Sequence, residues 1–561
     1  MGSVTRKVVG VLDDLPDVRH SPLLGTLAEL YPIEFRHARS GRYSDVDAVL
    51  IFNGDVKAGI TAAAEGVPTY VVARQRYNQK ITANAKVEFG NSRELDICLR
   101  GQSMTDREEC SPGILVVQPG DEVHAKRDGY PIWISRPTAR SLCQLVTVSP
   151  PALARGELLF RHLNARRFLG LLPLLNFLRR LVADIGWKAP LPRACFIFDD
   201  PSLYRPSYGF LNYRLLSEHA RKHDYFVSIA TVPLDSWLVS DEAAETFRAC
   251  SPRLSLVIHG NNHLPGELLR PDNGGSHLAA AAQALRRMER LKHAHGVPFF
   301  KIMEAPHGAL AEGVFEVLLS LGYEAALCTP ELLVLHNPNT RWSATVGLEQ
   351  SAILGGGLPV IPRIKMSPDW KNDVLLKAFL QQPIIIAGHH TDAAAGLELL
   401  SELSKVIRGL EGVTWSDLQG VLRANYLQKI EGNTLRLRMY SRRVSVPIPR
   451  GIKNLSVERP WLGPNCTEKL IISTGTLTRH CYDAGQKVDG LPLSAEVAEV
   501  ISKLNNEIPF RTVAPPRLSP WSISRKLLME VRDRLSPALP IVNRYRYLTV
   551  AINNLICFPE N

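Results

Sequence analysis

The spacing of apolar and polar positions changes several times along the chain. Near the N-terminus, short apolar runs alternate with helical patterns. Val8–Leu12, Ala48–Phe52 and Val67–Val72 read as strands, Ser21–Leu30 and Ile60–Glu65 as helices. Such alternation predicts a parallel sheet with covering helices. The runs Gly113–Gln118, Glu122–Arg127, Pro131–Ser135 and Gln144–Ser149 are shorter, are broken by Pro, Gly and Asp, and include a tight-turn signal at Asp128-Gly129. A long basic helix is expected near Phe160–Ala183. Its apolar part, Phe168–Leu178, is far short of the ~20 residues that cross a bilayer. Pro173 and Asn176 interrupt it, so packing between domains is the expectation and an interfacial helix the alternative.

From about 190 to 425 the strand-like segments are Ala194–Phe198, Phe226–Ile229, Leu254–Ile258, Phe299–Met303, Ala325–Cys328 and Ile384–Ala387. Helical patterns lie between them, including Tyr213–Lys222, His277–His295, Gly313–Leu321 and Ala394–Arg408. A βα repeat of this length predicts a barrel or an incomplete barrel. Beyond Asn425, Thr434–Tyr440, Arg443–Pro447 and Lys469–Ser473 alternate with period two, which predicts a small antiparallel β domain. The final part reads as a basic helix bounded by Pro515, Pro516 and Pro520 before it and by Pro537 and Pro540 after it. Its charge comes from Arg517, Arg525, Lys526, Arg532 and Arg534. The expected domains are 1–185, 190–428, 430–485 and 486–561.

At ~100–200 residues per domain, the 561 residues accommodate this division. With 45% hydrophobic and 22% charged residues and a mean hydropathy of -0.05, a mainly disordered, collagen-like or membrane-embedded chain is excluded. There are 66 Lys+Arg against 55 Asp+Glu, a net charge of +11. That excess permits an acidic partner without demanding one. No aromatic–basic stripe and no zinc-finger spacing accompany it, so nucleic acid is not expected; the basic helices would suit peripheral contact with a membrane surface. The 9 cysteines are scattered and include no C-x-x-C pair, which argues against a disulfide framework and a cysteine-based zinc site. The first residues, MGSVTRKVVGVLDDLPD, carry acids early and lack a long apolar core. They do not read as a signal peptide, and a cytoplasmic location is expected.

Four short motifs each follow an apolar strand of the central unit, where barrel active sites are built. Asp199 and Asp200 end the first. Adjacent strand residues point opposite ways, so both face one site only if the strand turns, as Pro201 suggests. Alone, the pair reads as a solvated acidic turn. His259 and His263 are four apart, a spacing that on a helical turn puts both imidazoles on one face. Two histidines and a carboxylate make a common catalytic metal set; a solvated pair in a loop is the ordinary alternative. The third motif is Glu304-Ala305-Pro306-His307-Gly308. The fourth carries His389 and His390 after a buried strand, and a histidine there is a general-acid candidate.

In order and placement these motifs resemble the polysaccharide deacetylase (NodB-homology) family, over about 190–425. The resemblance implies an α/β chain with a distorted (β/α) barrel of the NodB-homology type, preceded by a parallel-sheet α/β domain and followed by a small β-rich domain. It further implies a metal-dependent hydrolase that removes the acetyl group from the amine of an N-acetylated sugar or glycoconjugate. Asp199 would be the general base. Asp200, His259 and His263 would hold a divalent metal, zinc. His389, with His390 beside it, would protonate the leaving amine. Glu304, Pro306, His307, Arg363 and Trp370 fall on the substrate side. Two positions depart from the family pattern: Pro201 stands where a glycine is usual, and Glu304 where an arginine holds the base. Arg363 or Lys365, from another strand end, is the expected replacement. The alternative is a catalytically altered NodB-like module that binds carbohydrate or metal within a multi-domain assembly protein.

Residues 5–180 resemble the glutamine-amidotransferase-like fold in a non-catalytic form. The resemblance rests on a parallel sheet, then GDEVHAKRDGYPIWISR as a β excursion, then a return strand. The third strand is followed by Ala73-Arg74-Gln75, with no cysteine nucleophile, and Asp13-Asp14-Leu15-Pro16 stands where a phosphate loop would.

Overall fold

The computed structural model describes residues 6–12, 20–39, 41–73, 84–108, 113–272, 274–461, 468–474, 479–482, 488–493, 496–516, 520–535 and 537. The expectations for Asp13–Pro16, Arg74-Gln75, Arg517 and Pro540 lie outside them. The chain divides into two compact units. One comprises Met1–Lys188, Arg341–Glu349 and Ser367–Gln382; the other Ala189–Thr340, Gln350–Met366 and Pro383–Asn561.

The first unit holds a nine-stranded sheet in the order Ile33–His37, Lys7–Val11, Ala48–Ile51, Thr69–Val72, Leu142–Val146, Tyr130–Pro137, Glu122–Arg127, Ala85–Phe89, Ser103–Asp106. The first five strands run parallel; the remaining pairings are antiparallel. The sheet is therefore mixed. The strand-and-turn excursion extends it, and Leu142–Val146 returns to the parallel half. The covering helices begin where capping residues stand: Ser21 before Pro22–Leu30, Asp55 before Val56–Ala64. Gly113–Gln118 does not form the expected strand. Leu115 N–H donates to the Pro131 carbonyl at 2.9 Å, but Val116 and Val117 stay exposed and no ladder forms. The expected helix over Phe160–Ala183 is confined to Leu172–Leu181. Pro173 is tolerated only in a first turn, which fixes the start. Leu172 to Leu178 are buried throughout, which removes the interfacial alternative for this segment.

Two further segments join this unit although both interrupt the barrel sequence. Leu159 N–H donates to the Ala344 carbonyl at 3.1 Å. In the helix Trp370–Phe379, Asn372 Nδ2 donates to the carbonyls of Thr105 (2.7 Å) and Ala165 (2.6 Å). The boundaries 1–185 and 190–428 therefore do not divide the chain cleanly. Periodicity reveals that a helix has an apolar face, not which partner covers it.

The second unit is built on a ten-stranded sheet in the order Ala352–Leu354, Leu358–Pro362, Ala325–Cys328, Phe299–Glu304, Leu254–His259, Val227–Thr231, Arg193–Asp199, Ile384–His389, Ile364–Lys365, with Thr414–Trp415 also on Arg193–Asp199. All pairings are parallel except Ala352–Leu354 with Leu358–Pro362. Leu358–Pro362 lies near one end of this order and Ile364–Lys365 at the other, yet only Arg363 separates them in sequence. The sheet therefore curls into a barrel-like surface. Its concave core contains Cys195, Ile197, Ala230, Val257, Ile302, Leu327, Ile361, Ile385 and Ala387, with Leu418, Val421 and Leu422 from the helix Leu418–Arg423.

After this sheet come two four-stranded sheets with a shared core. One is Tyr426–Glu431, Thr434–Met439, Asn454–Glu458, Val488–Pro492; the other Arg443–Pro447, Val497–Leu504, Glu468–Thr474, Arg479–Tyr482. Alternate residues face inward, as along Thr434–Met439 (Leu435, Leu437, Met439). The β part thus extends to Leu504, beyond the expected boundary at 485. Val497–Leu504 itself alternates, burying Ala498, Val500 and Ser502. The helix of the last segment spans Pro520–Leu535.

Candidate active site

Side chains on one face of a strand recur every second residue. The core positions Ile197, Val257, Ile302, Ile361 and Ala387 thus fix the inward face of five strands. Two residues further along, at or just past the carboxyl ends, come Asp199, His259, Glu304, Arg363 and His389. The polar ring is the pleat continued past the apolar core, in the register Asp199↔His389 and His259↔Glu304.

Asp200 would point away from this ring if the strand continued. Its φ of 83° turns the chain there instead. The left-handed region is uncommon outside glycine, though Asp and His enter it more readily than most residues. His263 (φ 56°) and His307 (φ 57°) share it. Strained backbone of this kind gathers at functional sites. The histidine pair therefore meets through a loop, not through the expected helical turn. Gly260 has φ 62°, and a Cβ there would lie 2.6 Å from Pro306 Cγ. Glu267 braces the loop by accepting from the backbone N–H groups of Asn261 (2.8 Å), Asn262 (2.9 Å) and Leu264 (3.1 Å). Arg287 Nη1 donates to the Asn261 and Asn262 side chains at 2.6 and 2.7 Å. Neither bracing residue belongs to a motif, and nothing in the sequence distinguishes them.

Asp200 Oδ1 lies 3.4 Å from His259 Nε2 and 2.9 Å from His263 Nε2. His259 Nδ1 is 3.1 Å from the Glu304 carbonyl oxygen. A carbonyl only accepts, so Nδ1 carries the proton, and in the neutral ring Nε2 presents a lone pair to Asp200. Asp200 Oδ1 is buried and has no hydrogen-bond donor among the described residues. One ligand atom from each of the three residues falls within 4.8 Å of the others. Lone pairs converging this way require a cation or proton between them, and a carboxylate with two imidazoles suits a divalent ion such as zinc. Burial would raise the Asp200 carboxyl, but the imidazoles of His263 and His259 outweigh it and hold the group well below the usual range. Burial pushes His263 down to about 4, against the opposing pull of the Asp200 carboxylate.

Beside this set, Arg363 Nη1 lies 2.8 Å from both Asp199 Oδ2 and Glu304 Oε1. Its guanidinium contacts the first aspartate from the link between Leu358–Pro362 and Ile364–Lys365, neither of which pairs with Arg193–Asp199, while Lys365 is exposed. Asp199 Oδ1 remains buried without a donor. Burial drives the Glu304 carboxyl up to about 8; Arg363 opposes this and Asp199 adds to it. The folded state thus holds a proton that the unfolded chain releases near the ordinary value of about 4.5, and stability should fall as pH rises from about 4.5 to 8. Glu304→Gln should flatten that fall, read as the difference in Tm between pH 5 and pH 8. An unchanged pH slope would contradict this protonation.

His390 points the other way from His389. Its ring stacks on Phe210 (5.9 Å) and meets the edge of Tyr208 (5.3 Å); its Nε2 lies 3.6 Å from Asp533 Oδ1. Asp533 comes from the helix Pro520–Leu535 and also accepts from Tyr208 Oη and Arg532 Nε. Gly209 (φ 52°) gives His390 its space, since a Cβ there would lie 2.2 Å from Nδ1. The exposed His307 ring meets His263 edge-on at 4.8 Å. Pro306 packs against Gly260. Trp370 opens the helix Trp370–Phe379, which belongs to the first unit.

No family model and no curated protein matches the chain. Among solved structures, it is similar to a Mycobacterium smegmatis protein assigned as a polysaccharide deacetylase, at 11% identity over 41% of this chain and 89% of that one, with a TM-score of 0.31. A family 4 carbohydrate esterase from Streptomyces lividans in complex with acetate matches at 12% identity over 41% and 93%, with a TM-score of 0.24. A mutant of a CE4 family pseudoenzyme matches at 12% identity over 42% and 69%, with a TM-score of 0.25. At such scores the superpositions carry no weight.

Proposed function

We propose that the chain is a metal-dependent amide hydrolase that removes an acetyl group from the amine of an N-acetylated sugar or glycoconjugate. The observation that carries this reading is the convergence of Asp200, His259 and His263 beside an arginine-held Asp199. When bound, a divalent ion supplies a Lewis acid that polarises the acyl carbonyl and acidifies water. Asp199 then acts as base. Arg363 fixes its Oδ2, so the unpartnered Oδ1 is free to take the proton of the attacking water. Burial of these groups replaces solvent with fixed charges, which strengthens their action on the reacting atoms. His389, on the inward face in register with Asp199, delivers a proton to the departing amine. Glu304 cannot hold the base, but Arg363 contacts it from the link between two other strands, which favours this reading over a non-catalytic module.

Acetate release from a panel of N-acetylated sugars, measured with the full chain loaded with zinc, tests the proposal. Asp199→Asn should retain the metal and lose about 10²-fold or more in kcat, the contribution of a positioned base. Equal turnover by the parent and this variant would remove Asp199 from the mechanism. Full turnover in the presence of a strong chelator would remove the metal.

A further inference from the structure

The helix Pro520–Leu535 is amphipathic in the reverse sense to a core helix. Its charged residues Arg525, Lys526, Glu530 and Asp533 are buried. Lys526 Nζ lies 3.0 Å from Asp235 Oδ2. Glu530 accepts from Ser202 Oγ at 2.9 Å, and Arg525 donates to the His263 carbonyl. The opposite face carries Ile523, Leu527, Val531 and Leu535, each four residues apart, with Leu528 beside them. Their exposures are 44%, 49%, 55%, 48% and 37% respectively. The stripe runs about 18 Å along the helix, at 1.5 Å per residue. Trp237 (59% exposed) lines one groove with Ile523 and Leu527.

A groove of about 590 Å³ runs along the stripe's edge. Trp237, Ile523 and Leu527 line it together with Arg286, Arg287, Arg290 and Lys526; no carboxylate among the described residues does so. Arg290 is exposed. Arg286 Nη1 donates to the Phe510 and Val513 carbonyls, and its Nη2 is buried. Arg532 and Arg534 stand half-buried at the far end of the helix, where they pair with its two inward-turned acids, Asp533 and Glu530.

We propose that this face docks on an anionic lipid bilayer. The apolar stripe would enter the acyl boundary, and Arg290, the exposed arginine of the rim, would meet the headgroup phosphates. An exposed apolar stripe beside a groove lined by cations and by no carboxylate among the described residues fits a soft negative surface. The inference does not depend on the chemistry proposed above. Docking would bring the lipid surface against the helix whose inner face carries Asp533 and Arg525.

Flotation of the full chain with vesicles of phosphatidylcholine, with or without phosphatidylglycerol, is the test. The chain should float only with the phosphatidylglycerol vesicles, and added salt should weaken the association. Leu527→Glu and Val531→Glu change exposed side chains and should each lower partitioning about ten-fold or more. Arg290→Glu should lower it about five-fold or more, since each basic residue near such a surface contributes about 1 kcal/mol. Circular dichroism and zinc content, unchanged in the variants, would show that the fold persists. Equal flotation with neutral vesicles, no flotation, or flotation indifferent to Leu527→Glu and Val531→Glu would overturn the proposal. A dimer that Leu527→Glu dissociates, without vesicle binding, would assign the stripe to a second copy of the chain instead.

Discussion

Asp200→Ala should abolish stoichiometric zinc binding and reduce any hydrolytic turnover by about 10³-fold or more. Asp200 Oδ1 is the atom on which both imidazoles converge, at 3.4 and 2.9 Å, and it has no other donor. Without it, two neutral imidazoles remain, too few ligands for a tetrahedral ion. The catalytic loss follows from the several kcal/mol that a Lewis acid contributes, at 1.36 kcal/mol per factor of ten. The binding effect is measurable without a substrate. Zinc should raise the Tm of the parent, because an ion bound only to the folded state stabilises it, and should leave the variant unmoved. A second group, Asp199, His259 and Glu304, also has ligand atoms within 4.8 Å of one another. Zinc retained by Asp200→Ala but lost by Glu304→Gln would place the ion there and refute the assignment.

Arg363→Met is expected to be the most destabilising single change in the barrel, costing about 3–5 kcal/mol. One guanidinium nitrogen contacts two carboxylates at 2.8 Å each, and Asp199 and Glu304 are 3% and 0% exposed. Removing one partner of a buried ionic group leaves uncompensated charge, which costs far more than the intact pair contributes. Glu304 can soften the loss by keeping its proton, so the penalty should be smaller at pH 5 than at pH 8. The double variant Arg363→Met/Glu304→Gln should recover part of it, a coupling readable from a double-mutant cycle. Denaturant unfolding followed by a barrel-specific probe measures both. A cost under about 1 kcal/mol at pH 8 would show that the three groups do not form a buried ionic cluster.

Most barrel strands were legible because each is a nearly pure apolar run ending in polar residues, as in Phe196-Ile197-Phe198-Asp199 and Val257-Ile258-His259. Such runs mark strands buried on both faces. The same runs place the candidate residues, since strand ends and active-site positions coincide in barrels. Asp200 was harder to place, because a strand pattern turns it away, and only its left-handed backbone brings it round. The contacts of His390 were invisible. Phe210 and Tyr208 belong to a loop and a two-residue strand, and Asp533 lies 143 positions later in a helix whose pattern marked only its charge. The first unit's claim on Trp370–Phe379 was hidden for a related reason. Asn372, which ties that helix to Thr105 and Ala165, is an ordinary polar residue in sequence.

The run Leu358–Lys365 also sets the dynamics of the site. Its first half pairs with Ala325–Cys328, its second with Ile384–His389, and Arg363 is the residue between. Arg363 N–H reaches the Cys328 carbonyl at 3.3 Å on one side, and Met366 N–H the Ala387 carbonyl at 2.8 Å on the other. The seam of the curled sheet and the clamp on Asp199 are thus one stretch of backbone. Any local opening that lets these amides exchange with solvent must also release the guanidinium from both carboxylates, so amide exchange at the seam and loss of the poised base are a single event.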